Sequence, residues 1–341
     1  MQKKIVLLIA LILIFLNFSG CTSHKQKDIE TLKIACGGDP ETLDPRKASG
    51  IIEGTVLRQI YEGLFTHDKD GKVVPGTAEK HDVSEDGLIY TFYIREDARW
   101  SNGDHVTAHD YAYSWTKTLD PNFAAKYADL LFCIKNGEKY NKGEVSSQEL
   151  GIEVLGDRTL RVTLEYPASY FLYLTTFFTY YPVHKKTAEE ISKWHTNPDT
   201  VICNGPFKIV SFKHNDRINL TRNDFYHSSQ IVKMKNVQIN LSDNNKTILD
   251  MFEDNQLDTA EVKIPLSEVA RLKQDGRLKT YPFIGTYYYC INTKKPPFDD
   301  VRVRKAFALA LNREDIVKYI TKADEKVALA WVPYGLSDYL E

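Results

Sequence analysis

Histidines, cysteines and paired carboxylates are the side chains that most often hold metals or move protons, and their spacing decides whether they can act together. His105 and His109 stand four apart, the spacing at which two imidazoles on one helix ligate zinc. Thr107 between them reads as a helix cap, which places the two on different elements, and no H-E-x-x-H occurs. The other histidines are scattered. There is no Gly-x-Ser-x-Gly, Walker loop or dinucleotide fingerprint, and Gly37-Gly38 is too short to be one. Glu189 and Glu190 adjoin on what reads as a solvated helix face. These patterns propose no catalytic residue, metal ligand or cofactor, and the chain is expected not to be an enzyme.

One cysteine carries a different chemistry. Met1 to Lys4 is basic, Ile5 to Leu16 is an apolar run of twelve residues, and Ser19-Gly20 stands directly before Cys21. A spanning helix needs about 20 apolar residues, so this leader reads as an export signal. Its ending resembles a bacterial lipobox, which implies cleavage after residue 20 and a lipidated Cys21. Two or more acyl chains at that position anchor a protein stably where one does not. Cys36, Cys133, Cys203 and Cys290 are too irregularly spaced for a metal site. Export makes disulfides possible, yet all four are expected as buried free thiols.

At 341 residues the chain exceeds what one core usually organises, so two lobes are expected. The formal charge is −2, and a product starting at Cys21 carries 42 basic against 46 acidic side chains, a balance that gives no support to nucleic-acid binding. The 20 tyrosines suit either a cleft or a β-rich core.

Several elements are legible locally. Leu88, Tyr90, Phe92 and Ile94 alternate as a half-buried strand entered through a turn at Glu85 to Gly87. Asn102-Gly103 predicts a tight turn, and Thr107 with Asp110 a capping box for a helix that Asp120-Pro121 stops. Further helices are predicted at Ile52 to Leu64, around Ala124 to Tyr140, after Val183, at Ile248 to Phe252 and at Val303 to Leu311, with Asn312 and Asp315 capping the next. Strands are predicted at Leu32 to Cys36, Val154 to Leu164 (a hairpin), on either side of His214 to Asp216, at Val237 to Leu241 and at Thr286 to Thr293. The aromatic run Tyr170 to Tyr181 is either a ligand wall or a core helix, and the second is favoured. Asn255 is a residue that tolerates positive φ.

The stretch AEKHDVSEDGLIYTFYIREDARWSNGDHVTAHDYAYSW, Ala78 to Trp115, closely resembles the signature of the peptide-binding solute-binding proteins of ABC importers. Leu43-Asp44-Pro45, Asn204-Gly205-Pro206-Phe207, Arg222 to Tyr226, Asn255 to Asp258 and Phe298 to Arg313 match further landmarks of that family. The resemblance implies an α/β, two-lobed periplasmic-binding-protein-like fold of type II with an extra inserted domain. Its parts would be a signal peptide (1–20), a tether (21–30), lobe I (31–63 and 183–284), the inserted domain (64–182) and the start of lobe II (285–341). It also implies oligopeptides as ligand, ABC permease subunits as partner, a monomer, and a lipid-anchored place on the extracytoplasmic face of the cell membrane.

Main-chain pairing with the peptide would fall on Ser49, Gly50 and Ile51, with Tyr127 and Tyr288 as aromatic cleft residues and Ala260, Glu261 and Val262 as a further lining strand. Family alternatives are a nickel chelate, haem or oligosaccharide as cargo, or a pheromone receptor lipoprotein; a peptidase is a third class. Family members continue beyond the point that Trp331 to Glu341 matches. The second lobe is therefore expected to be incomplete and the 341-residue chain to bind peptide more weakly than a full-length relative.

Overall fold

Alternating burial in short segments, closed by turns that need positive φ, dictates the strands. The computed structural model describes residues 30–260, 264–281 and 283–333. They fall into two units, one of residues up to 243 with 254–261, the other of 244–253 with 262–341.

In the first unit the strands are β1 (Thr31–Ala35), β2 (Phe65–His67), β3 (Val73–Pro75), β4 (Ala78–Val83), β5 (Ile89–Ile94), β6 (Ile152–Gly156), β7 (Thr159–Thr163), β8 (Phe207–Lys213), β9 (Arg217–Arg222) and β10 (Asn236–Asn240). Its helices are α1 (Ile51–Ile60), α2 (Ala108–Leu119), α3 (Gly137–Asn141), α4 (Phe171–Leu174) and α5 (Lys185–Glu190). One sheet has the order β1-β10-β9-β8, with β1 parallel to β10 and the rest antiparallel. The other is an antiparallel sheet of order β4-β5-β7-β6, and β2-β3 form a small hairpin.

The predicted alternation is realised in β5, where Tyr90, Phe92 and Ile94 are buried and Phe92 stands opposite Leu160 of β7. Such apolar cross-strand pairs are the unit of sheet stability. The helix α2 begins at Thr107, whose backbone N–H donates to Asp110 Oδ2 at 2.9 Å, so His105 and His109 do lie on different elements. On its buried face Trp115 Nε1 donates to the Tyr180 carbonyl at 2.8 Å. Asn102-Gly103 turns as expected: Gly103 has φ of +94° and its N–H donates to the Trp100 carbonyl at 2.8 Å. A Cβ there would lie 3.5 Å from the Phe225 ring. Gly103→Val is therefore expected to cost about 1–3 kcal/mol in thermal or urea unfolding, because a β-branched residue is strained at that φ; an unchanged midpoint would refute it.

Three expectations fail here. The helix foreseen over Ala124 to Tyr140 is a 3₁₀ turn (Ala128–Leu131), a turning link with one bridge, Ile134 opposite Leu164, and the short α3. The link pairs with the end of β7 instead: Lys135 N–H donates to the Thr163 carbonyl at 2.9 Å and Glu165 N–H to the Cys133 carbonyl at 2.8 Å. Long-range backbone pairing outweighs the local helical pattern. The aromatic run is likewise not one helix but α4 and a 3₁₀ turn (Phe178–Tyr180), with Phe171, Phe178, Tyr180 and Tyr181 buried and Tyr170 and Tyr173 exposed. Of the four cysteines, Cys36, Cys133 and Cys203 are buried free thiols, but Cys290 is exposed. Burial pushes the Cys203 thiol up to about 12, which makes it inert at neutral pH.

The second unit contains α6 (Asn245–Glu253), α7 (Leu266–Gln274) and α8 (Val301–Ala310). Glu253 of α6 meets Arg271 of α7 at 2.8 Å and Arg277 at 3.0 Å. Asn312 caps the following turn by accepting from the Asp315 N–H at 3.2 Å. Thr286 to Thr293 is not a strand in the structure: no ladder partner exists for it among the described residues, and a strand without one leaves its polar backbone to water. Among the described residues no helix is long and apolar enough to cross a membrane.

Candidate functional site

The loop from Gly37 to Gly50 enters α1 through a turn that its own side chains fix. The Asp44 carboxylate accepts from Arg46 Nε at 2.9 Å, Arg46 Nη2 at 2.8 Å and the Arg46 backbone N–H at 3.1 Å. The Asp44 carbonyl takes the N–H groups of Lys47 and Ala48 at 3.0 and 3.1 Å. Leu43 is buried beneath, and the Arg46 guanidinium lies 4.8 Å over the Phe123 ring. A buried, bidentate pair of this kind is rigid because both ions lose their hydration and the two parallel hydrogen bonds fix their mutual orientation. Close to the loop, His195 Nδ1 stands 3.2 Å from Thr42 Oγ1, and burial holds its imidazole below the usual range.

What the turn presents is the segment Ser49-Gly50-Ile51 at the N-terminus of α1. Tyr127, from the inserted sequence some eighty residues away, donates its hydroxyl to the Ser49 carbonyl at 2.9 Å. Glu53, buried in the first turn of α1, accepts the Glu41 N–H at 2.8 Å through Oε1 and folds its other oxygen against Gly50. A Cβ at position 50 would overlap that carboxylate. None of the N–H groups of Ser49, Gly50 or Ile51 has an acceptor among the described residues. Ile51 is 76% exposed. Ser49 and Gly50 are half-buried, so the segment holds backbone N–H groups without a protein acceptor at the protein surface, and such groups can pair with the carbonyls of an extended chain.

The other end of α1 is anchored by a buried polar knot. Glu62 accepts from Tyr226 Oη at 2.6 Å and Thr77 Oγ1 at 3.2 Å, and pairs with His227 Nε2 at 2.8 Å. Its backbone exchanges two hydrogen bonds with the Asn204 side chain, at 2.9 and 3.1 Å. Burial first, and then the Glu62 charge, push the Tyr226 phenol far above its ordinary range, so it remains a donor. Gly205 lies against the last carbonyl of α1, to which its N–H donates at 2.8 Å. These landmarks are scaffold that orients α1, and nothing in them is arranged for bond chemistry.

Of the residues expected from sequence, Ser49, Gly50, Ile51 and Tyr127 come together. Ala260 is half-buried and follows a turn whose Asp258 N–H donates to the Lys33 carbonyl of β1 at 2.8 Å, with Asn255 at φ of +59° as foreseen. Glu261 and Val262, like Cys21, lie outside the described residues. Tyr288 belongs to the second unit, half exposed, with its ring 4.3 Å from that of Trp331. Sequence reasoning missed Glu53. The signal for Glu53 was its place three residues after Gly50, the acceptor position of a capping box. Among the described residues no cluster of histidine, cysteine and carboxylates could hold a metal ion.

Residues 72–341 match the family model described as the middle part of bacterial extracellular solute-binding proteins, family 5. The chain is 39% identical over 338 residues to the oligopeptide-binding protein OppA of Bacillus subtilis, covering 96% of this chain and 62% of that relative. It is 37% identical over 330 residues to the dipeptide-binding protein DppE of the same organism, covering 93% and 60%. Among solved structures, Haemophilus influenzae OppA in complex with the peptide RPPGFSPFR superposes with a TM-score of 0.84 at 32% identity, covering 90% of this chain and 60% of the other. The chain therefore spans about three fifths of the length of these relatives.

Proposed function

The chain belongs to the bacterial extracellular solute-binding proteins of family 5, with their mixed α/β fold, and on that premise we propose that it binds oligopeptides and delivers them to an ABC permease. The family is one of binding proteins, not enzymes. The observation that carries the reading is the row of unspent N–H donors at Ser49 to Ile51, pinned by Tyr127 and Glu53. A peptide laid along it gains main-chain hydrogen bonds that do not depend on its sequence. Ala260, Glu261, Val262 and Tyr288 stay proposed ligand contacts on the family resemblance. The lobe boundaries at 63/64, 182/183 and 284/285 belong to the same proposal. Mass spectrometry of ligands co-purified from cells tests it: mixed short peptides are expected, and a single non-peptide cargo or none refutes it.

Tyr127→Phe deletes the hydrogen bond that fixes the Ser49 carbonyl. It should weaken peptide binding by about 0.5–1.5 kcal/mol, roughly two- to tenfold, in calorimetric titration, with little change in stability. Equal affinity would remove Tyr127 from the site.

Anchoring through a lipidated Cys21 is part of the proposal, supported by the leader and its Ser-Gly-Cys ending. Intact mass of membrane-derived protein is expected to carry a diacylglyceryl adduct that Cys21→Ser abolishes. An unmodified, soluble wild-type product would refute it.

A further inference from the structure

The donor row has an apolar flank that the main-chain reading leaves unused. Tyr127 packs its ring 5.7 Å from Phe177 at 62° and 6.2 Å from Phe178, and Phe177 and Phe178 lie 4.1 Å apart. Phe178 is buried against the first turn of α1, where a Cβ on Gly54 would stand 3.2 Å from its Cε1. Phe177, one step outward, remains half exposed. Ile51, 76% exposed, presents a second apolar group at the same helix end. Of the charges nearby, Lys126 pairs with Glu41 at 3.3 Å, the Glu53 carboxylate accepts the Glu41 N–H, and the Arg58 guanidinium lies on the Gly54 side of Phe178, where a Cβ on Gly54 would stand 3.5 Å from its Nη1.

We propose that Phe177, with Tyr127 and Ile51, forms an apolar subsite that selects an aromatic or branched aliphatic side chain at one position of the bound peptide. The proposal rests on the peptide-binding reading above. An extended ligand paired with Ser49 to Ile51 turns every second side chain to the same face, so one of them meets this wall. An apolar side chain there is removed from water against rings, whereas a charged one loses hydration against the same rings. Selectivity then comes from the penalty on charged residues as much as from the gain on apolar ones.

The test uses the purified chain and tetrapeptides of alanine in which each position in turn carries Phe, Leu, Lys or Asp, titrated to millimolar concentration. At one position Phe and Leu are expected to bind at least tenfold more tightly than Lys and Asp. Phe177→Ala should shrink that ratio below threefold and leave tetra-alanine within twofold of wild type, while Phe177→Leu keeps it. Equal affinity for all four residues at every position, or a preference that survives Phe177→Ala, overturns the subsite while peptide binding stands. Failure of every peptide, tetra-alanine included, overturns the peptide reading and the subsite with it.

Discussion

Glu62→Ala is expected to lower the unfolding free energy of the first unit by about 3–5 kcal/mol, because it removes one partner of a buried pair and leaves the other without compensation. The Glu62 and His227 side chains are only 5% and 6% exposed. Removing the carboxylate strands the His227 imidazole, the Tyr226 hydroxyl and Thr77 Oγ1, which come from segments far apart in the chain. Each buried donor without an acceptor costs its desolvation in full. Urea unfolding followed by the fluorescence of Trp100 and Trp115, both fully buried in this unit, reads the loss directly. Glu62→Gln, which keeps the shape and part of the hydrogen bonding, should cost distinctly less. If the two variants unfold at the wild-type midpoint, the knot does not organise α1.

Gly50→Val should weaken peptide binding by about 10- to 100-fold, equivalent to roughly 1.4–3 kcal/mol, with a smaller effect on stability. Gly50 has φ of −108°, which any residue adopts, so the need for glycine is one of space. A side chain at 50 must displace the Glu53 carboxylate, and with it the tie to the Glu41 N–H that fixes the donor row. The carboxylate is the end of a movable side chain, so the fold can yield; the conformation of Ser49 to Ile51 cannot be kept. Gly156→Ala, at a position open to solvent, is the control and should bind as wild type. Calorimetric titration with a mixed peptide pool checks both. Wild-type affinity in Gly50→Val would mean that the peptide is held elsewhere.

The sequence by itself determined whatever is settled within a few residues. Period-two burial in β5, the positive φ of Gly103 and Asn255, and the capping of α2 by Thr107 and Asp110 follow from local sterics and hydrogen bonding, and the structure has each where the pattern places it. The Leu43-Asp44-Pro45 turn that precedes Ser49 to Ile51 is likewise built from adjacent side chains, whereas a ligand-binding part for those three residues came only from the family resemblance. The tertiary structure decided the rest. Cys133 to Lys135 pair with the end of β7, some thirty residues on, and so are not helical; Thr286 to Thr293 has strand-forming residues but no described neighbour to pair with. Phe177 and Phe178 are identical in type and adjacent in sequence, yet only contact with α1 makes one core and leaves the other half exposed beside Tyr127. Glu62 and His227 are 165 residues apart and carry no mutual signal in the chain. A strand needs a partner, a buried charge needs a counter-group and a ring needs a surface, and in each case the partner is a distant segment that only folding brings near.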